Sequence, residues 1–383
     1  MKIFRSILPY IEKSLFIKNK KKAIIIYGPR QSGKTTLAKY LLKKYPEKSE
    51  YLNCDYPDVQ RILSYQNVES LTGVVKDLRF MIIDEAQRIE NIGLVLKILV
   101  DEYPHLQVLA TGSSSFDLSN KIKEPLTGRK KEFRLHPFSF NELHEKDKPL
   151  ERKRNLERFL RFGSYPEISQ KSNKEAENSL RELAGSYLFK DIFTFQQLKK
   201  PEILEKLLRL IAFQIGSQVS FHELATQIGV DQTVIQKYIH LLEEAFVIFR
   251  LGSFGRNLRN EVRKSRKIYF WDLGIRNAII ENFNTLDLRN DIGELWENFC
   301  ITERLKHLNN KQEFPNTFFW RNYSQKEIDY LEEKDGRLKT FEFKWSENKK
   351  AKIPKIFVDN YPDSEFEIIN KKNFDEFLCN PEV

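Results

Sequence analysis

A chain of 383 residues that is 40% hydrophobic and 13% aromatic has material for the cores of two or three domains, at about 100–200 residues per domain. Its 64 Lys and Arg against 54 Asp and Glu leave a formal charge of +10, which favours a polyanionic partner such as DNA, although a lysine-rich solvated surface gives the same totals. Without a run of about 18 apolar residues, with Arg5, Pro9, Glu12 and Lys13 interrupting the N-terminal segment, and with Cys54, Cys300 and Cys379 far apart, the sequence supports neither a spanning helix nor a signal peptide and indicates neither a zinc knuckle nor a disulfide framework, and the expected address is cytoplasmic.

In chain order, the first predicted strand is Ala23-Ile24-Ile25-Ile26-Tyr27, a β-branched apolar run suited to a buried parallel strand. It runs into Gly28-Pro29-Arg30-Gln31-Ser32-Gly33-Lys34-Thr35, which completes G-x-x-x-x-G-K-[ST], and Thr36 to Lys44 follows with apolar positions at helical spacing. Between strand and helix the backbone N–H groups of this loop can turn inward around phosphates, Lys34 can reach the β and γ oxygens, and the Thr35 hydroxyl can ligate Mg²⁺. The cofactors expected are therefore ATP and Mg²⁺, held by residues 28–36.

The strand-like run Phe80-Met81-Ile82-Ile83 ends in Asp84-Glu85. Asp84 is expected to complete the metal shell with Thr35, and Glu85 to act as the base for the attacking water. A third apolar run, Leu106 to Ala110, ends in Thr111, placed to sense the γ-phosphate. Ligands of α/β sheets gather at the carboxyl ends of strands, so Gly28, Asp84 and Thr111 should border one crevice. The basic stretch Arg129, Lys130, Lys131 and Arg134 reads as a solvated or phosphate-contacting face.

From Leu150 to Lys200 the chain reads as helical, broken at Gly163-Ser164-Tyr165-Pro166, and is expected to form a lid over the nucleotide. Ser220-Phe221-His222-Glu223 is a capping box ahead of Leu224, Ala225 and Ile228; Gly229 ends that helix and Asp231 opens another. In the second helix Val234, Ile235, Tyr238, Leu241 and Leu242 form the apolar stripe. Gln232, Thr233, Gln236, Lys237 and His240 then face outward, the first four as candidate DNA contacts. Ala245 to Leu251 and Lys267 to Trp271 read as paired strands, with Arg256, Arg259, Arg263, Lys264 and Arg266 between them as a basic wing. This is the layout of a winged helix, a module that serves for DNA contact or for binding proteins.

Toward the C-terminus, Asp335-Gly336 is a two-residue hairpin signal between the alternating runs Glu327 to Glu332 and Leu338 to Trp345. Such a turn makes Glu332 face Lys339, Tyr330 face Phe341 and Asp329 face Glu342, with Lys344 on the face of Glu342. Two opposed carboxylates repel unless something offsets them. A divalent metal held by Asp329, Glu342 and the helical Glu297, with Lys344 beside it, is the nuclease-like expectation; Lys344 pairing with Glu327 is the plain alternative.

The segments GPRQSGKT, FMIIDEAQ and LATGSSS, then Leu126 to Arg129, Leu135 to Glu142 and Arg161 to Pro166, in this order, resemble the AAA-type ATPases of bacteria and archaea that carry a winged helix and a C-terminal domain of restriction-endonuclease-like appearance. The resemblance spans nearly the whole chain. It implies that Arg129 is an arginine finger acting on a neighbouring subunit, that the protein is a homo-oligomer with a ring possible, and that Glu297, Asp329, Glu342 and Lys344 form the C-terminal cluster, without implying cleavage. Ile328 departs from the nuclease pattern, which usually has Pro there.

The expected fold is α/β, with an AAA-type P-loop core (1–149), a helical lid (150–200), a winged helix (201–275) and an α/β nuclease-like domain (276–383). The expected function is a Mg²⁺-dependent ATPase that binds duplex or branched DNA, without membrane, and couples hydrolysis to remodelling or translocation. An ATP-dependent nuclease of repair or defence, and a nucleotide-gated protein-binding switch, are the alternatives.

Overall fold

Apolar β-branched runs bracketed by helices build the first sheet. In the computed structural model, which describes residues 4–17, 22–64, 68–113, 122, 126–187, 200–255 and 266–379, the chain divides into two compact units. The first, Phe4–Pro137 with Glu244–Phe246, contains α1 (Leu8–Glu12), β1 (Ala23–Tyr27), α2 (Lys34–Lys44), β2 (Ser49–Asn53), α3 (Pro57–Ser64), α4 (Val68–Val75), β3 (Phe80–Asp84), α5 (Ile92–Glu102), β4 (Gln107–Gly112) and β5 (Lys130–Arg134). Its strands pair in parallel in the order β2-β3-β4-β1-β5. The runs read as buried strands are the central ones: every residue of β1, β3 and β4 is buried, whereas the edge strands β2 and β5 each bury a single residue. Leu37, Ala38 and Leu41 of α2 pack with Ile24, Ile26, Ile82 and Leu109 on one face, as the helical spacing required.

The second unit, Phe138–Glu243 with Val247–Val383, contains α6 (Phe140–His144), α7 (Pro149–Phe162), α8 (Asn173–Glu182), α9 (Pro201–Phe213), β6 (Gln218–Val219), α10 (Phe221–Ile228), α11 (Gln232–Glu244), β7 (Ile248–Ser253), β8 (Arg266–Phe270), α12 (Leu273–Ile279), α13 (Ile292–Lys311), β9 (Asn316–Arg321), β10 (Glu327–Lys334), β11 (Arg337–Phe343), α14 (Lys355–Asn360), β12 (Glu365–Ile369) and α15 (Phe374–Cys379). One mixed sheet runs through it in the order β12-β11-β10-β9-β7-β8-β6. The β7–β8 hairpin read as part of a winged helix and the C-terminal hairpin are thus continuous. The cause is local: β7 extends past its pairing with β8, and Gly252 and Ser253 align in parallel with Phe318 and Phe319 of β9.

The strand expected from Ala245 begins three residues later, because Phe246 sits at φ 57° and the Val247 N–H closes back on the Leu242 carbonyl at 2.9 Å, turning the chain before β7. Helices α7 and α8, in the segment expected as a lid, pack against α12 of their own unit. Gly163, at φ 67°, makes that packing possible, since a Cβ there would lie 2.0 Å from the Asp272 carboxylate. That carboxylate accepts from the Ser164 N–H at 2.7 Å and caps α12 through the Ile275 N–H at 3.1 Å. Among the described residues no helix is long and apolar enough to cross a membrane.

Candidate active site

Because β1, β4 and β3 are adjacent, their carboxyl ends bring the P-loop, Thr111 and Asp84 together as expected. Gly33 starts α2 with φ 95°, and Gln31 also adopts a left-handed conformation at φ 59°, so the loop folds tightly ahead of the helix. Gly28 has no room for a side chain: a Cβ would stand 2.1 Å from the Leu135 carbonyl oxygen. Lys34 is buried, and its ammonium donates to the carbonyls of Gly28 at 2.9 Å and Pro29 at 2.8 Å. The Ser32 hydroxyl is buried without a hydrogen-bond partner among the described residues, a donor well suited to a phosphate oxygen.

Asp84 is 2% exposed and is the convergence point of the site. Its Oδ2 accepts from the Thr35 hydroxyl at 2.8 Å and from the Tyr51 hydroxyl at 2.6 Å, while Oδ1 accepts from the Thr111 hydroxyl. Thr111 also accepts from the Glu85 N–H at 3.2 Å, so the residue read as a γ-phosphate sensor ties β4 to the end of β3. Glu85 is half-buried and strained, with φ 55° on a non-glycine residue, and its carboxylate accepts from the Gln87 side-chain amide, which also reaches Ser113 Oγ at 3.0 Å. The adjoining hydroxyl of Thr35 and carboxylate of Asp84 are a hard oxygen donor set, and these residues fit Mg²⁺.

Sequence reasoning missed three members of this site. Tyr51 comes from the edge strand β2, and burial together with its bond to Asp84 pushes its phenol far above the ordinary value. Gln87 follows two residues after Glu85, so an acidic pair with a polar residue at short spacing was a usable signal. Arg5 donates to the Ser32 carbonyl at 2.8 Å and to the His136 carbonyl at 2.6 Å, bracing the P-loop from behind; a lone N-terminal arginine carries no such signal. Arg129 is partly exposed and pairs with Asp101 at 2.6 Å.

In the second unit, the Asp335-Gly336 turn has both residues at positive φ, 51° and 80°, and the hairpin register holds, with Glu332 opposite Lys339 and Tyr330 opposite Phe341. The metal expectation needs correction. Among the described residues no group of three or more His, Cys, Asp and Glu side chains is arranged to hold a metal ion. Glu297 Oε1 is taken by the Lys267 ammonium at 2.9 Å and the Tyr269 hydroxyl at 2.6 Å, Asp329 Oδ2 accepts from the Phe343 N–H at 2.9 Å, and Lys344 binds Glu342 at 2.6 Å. The plain alternative also fails, since Glu327 pairs with Lys267 and Arg321 instead of Lys344. On α11 the expected outward residues Gln232, Thr233, Gln236, Lys237 and His240 are exposed, and Ile235, Tyr238, Leu241 and Leu242 are buried with Ile239, Val234 being only half-buried. The wing residues Arg256, Arg259, Arg263 and Lys264 lie outside the described residues.

Comparison with known proteins adds three family matches. Residues 20–144 match a family described as an AAA domain, and residues 153–286 and 292–376 match families described as domains of unknown function, DUF8612 and DUF4143. An uncharacterized protein of Mycobacterium tuberculosis is 27% identical over 327 residues, covering 84% of this chain and 70% of its own. One from Haemophilus influenzae is 23% identical over 290 residues, covering 71% and 72%. Among solved structures, the Thermotoga maritima RuvB Holliday junction branch migration motor aligns at TM-score 0.28 and 18% identity over 60% of this chain and 82% of its own. AMPPCP-bound DnaA from Aquifex aeolicus aligns at 0.30 and 16% over 62% and 86%. The P-loop geometry lies within the segment, residues 20–144, that is similar to an AAA domain.

Proposed function

We propose that this protein hydrolyses ATP with Mg²⁺ and couples turnover to remodelling of, or movement along, duplex or branched DNA. The observation that carries the hydrolase half is the seating of Thr35, Asp84 and Glu85 side by side, with Thr35 Oγ1 2.8 Å from Asp84 Oδ2. Thr35 and Asp84 would hold Mg²⁺, which when bound supplies positive charge to the β and γ oxygens. The loop N–H groups and the start of α2 cradle the phosphates, and Lys34 neutralises their charge. Glu85 orients and deprotonates water, Thr111 reports the γ-phosphate to Asp84 and the Glu85 backbone, and Arg129, released from Asp101, acts on a neighbouring subunit of a homo-oligomer.

The DNA half is supported by the net charge of +10 and by the succession α10, α11, β7, β8, which has the layout of a winged helix with Gln232, Thr233, Gln236 and Lys237 on an exposed face. Domain limits of 1–149, 150–200, 201–275 and 276–383 go with this reading, the last with a restriction-endonuclease-like fold.

The test is phosphate release by wild type and Glu85→Gln, with and without single-stranded, duplex and four-way-junction DNA, at two salt concentrations. Turnover stimulated by one DNA form, weakened by salt and reduced about 10²-fold or more by the substitution supports the proposal. Turnover indifferent to every DNA form at both salts would sink the DNA half and favour a nucleotide-gated protein-binding switch.

A further inference from the structure

Lys267 is the feature of the second unit that the ATPase reading leaves unused. It lies on β8, in the sheet interior between β6 and β7, with its side chain only 3% exposed. An ammonium so deeply buried persists only if carboxylates surround it. Its Nζ stands 2.9 Å from Glu297 Oε1 of α13 and 2.5 Å from Glu327 Oε1 of β10. Burial alone lowers a lysine, but Glu297, Asp329 and Glu327 outweigh it and hold Lys267 well above its ordinary value, fully charged.

Side-chain cations are interleaved with the carboxylates around it. Glu297, Glu327, Asp329 and Glu342 face the cations Lys267, Lys344 and Arg321, the last with Nη1 3.4 Å from Glu327 Oε2. Burial, with Glu297 and Glu342 nearby, pushes the Asp329 carboxyl well above the usual carboxylate range. The Lys267 ammonium bridges Glu297 and Glu327, and the Lys344 ammonium binds Glu342, so side-chain cations already stand where a divalent ion was expected. A divalent cation binding Glu297 and Glu327 at the about 2.0–2.6 Å of an oxygen-bound Mg²⁺ or Ca²⁺ would press against the ammonium that already bridges them.

We infer that Lys267 is a built-in counter-ion filling the seat of a divalent cation among Glu297, Glu327 and Asp329, so that this cluster takes up no divalent metal and supports no metal-dependent cleavage of DNA. Its work is to pin the β7–β8 hairpin to α13 and the C-terminal sheet.

The experiment counts Mn²⁺ ions bound per full-length chain, without nucleotide, by calorimetric titration and by the electron-spin signal of free Mn²⁺, with Asp84→Asn in every variant to silence the P-loop. Without further change, and with Glu297→Gln, the counts are equal. Lys267→Met, which removes the ammonium and keeps the stem, gains one Mn²⁺ per chain, and adding Glu297→Gln removes it again. A count that drops by one in Glu297→Gln or Asp329→Asn while Lys267 is intact overturns the inference, and so does a folded Lys267→Met that gains none. Should circular dichroism show Lys267→Met unfolded, the comparison of Glu297→Gln and Asp329→Asn with their parent decides alone.

Discussion

Asp84 receives three hydroxyl donors, from Thr35, Tyr51 and Thr111, each on a different element, so its carboxylate is oriented before any nucleotide arrives. Groups that orient a metal ligand matter nearly as much as the ligand itself, and removing one typically costs about 10- to 100-fold in metal affinity or activity. Tyr51→Phe deletes one donor while keeping the ring that packs beside β3. The expected outcome is about 10-fold more Mg²⁺ for half-maximal ATP turnover with an unchanged melting temperature, measured by titrating Mg²⁺ at saturating ATP. An unchanged Mg²⁺ requirement would show that Thr35 and Thr111 suffice. At this scale, the residues legible in sequence were those whose chemistry is written in a contiguous motif, Lys34, Thr35, Asp84 and Glu85. Tyr51 and Arg5 were not, because each acts through an atom of a distant segment.

Between elements, α12 and the N-terminus of α13 are joined by Asp291, whose Oδ2 lies 2.5 Å from Arg276 Nη1 and 2.8 Å from Arg289 Nη2. Burial raises this carboxyl, but the hydrogen bonds and charges of Arg289 and Arg276 prevail and bring it down to about 2 from the ordinary 3.8. A depressed folded-state value stabilises above the unfolded value and is lost as pH falls through the folded one. The shift corresponds to about 2 kcal/mol, fully present above about pH 5 and fading between about pH 4 and pH 2. Urea unfolding of wild type and Asp291→Asn should differ by about that much at pH 7 and by visibly less at pH 3; a gap independent of pH would refute the assignment. Hairpin pairing at this scale was readable because Asp335-Gly336 leaves one turn geometry and the alternation then sets the opposed pairs from Lys334 and Arg337 out to Tyr330 and Phe341. The start of β7 was not, because the turn at Phe246 places a bulky residue at positive φ, against its local preference.

For the whole molecule, a charge of +10 and a lysine on the exposed face of α11 predict DNA binding dominated by phosphate contacts. Neutralising about six phosphates lowers affinity about 10³-fold between about 50 and 200 mM salt, and Lys237→Gln reduces the log–log slope by about one. Fluorescence anisotropy with labelled duplex measures both, and a slope near zero would remove DNA as the partner. What the sequence by itself determined is the nucleotide site, since P-loop chemistry depends on backbone N–H groups and a few side chains within eight consecutive residues flanked by a strand and a helix. It also determined which strands are buried, because a parallel strand covered on both faces must be continuously apolar. Tertiary structure alone decided that the hairpin before α12 and the C-terminal strands share one sheet, through two residues, Gly252 and Ser253, that carry no pairing signal. It alone decided the fate of the C-terminal carboxylates too. Their charge was visible in the chain, but Lys267 lies 30 residues before Glu297 and 60 before Glu327, and only folding brings its ammonium between them.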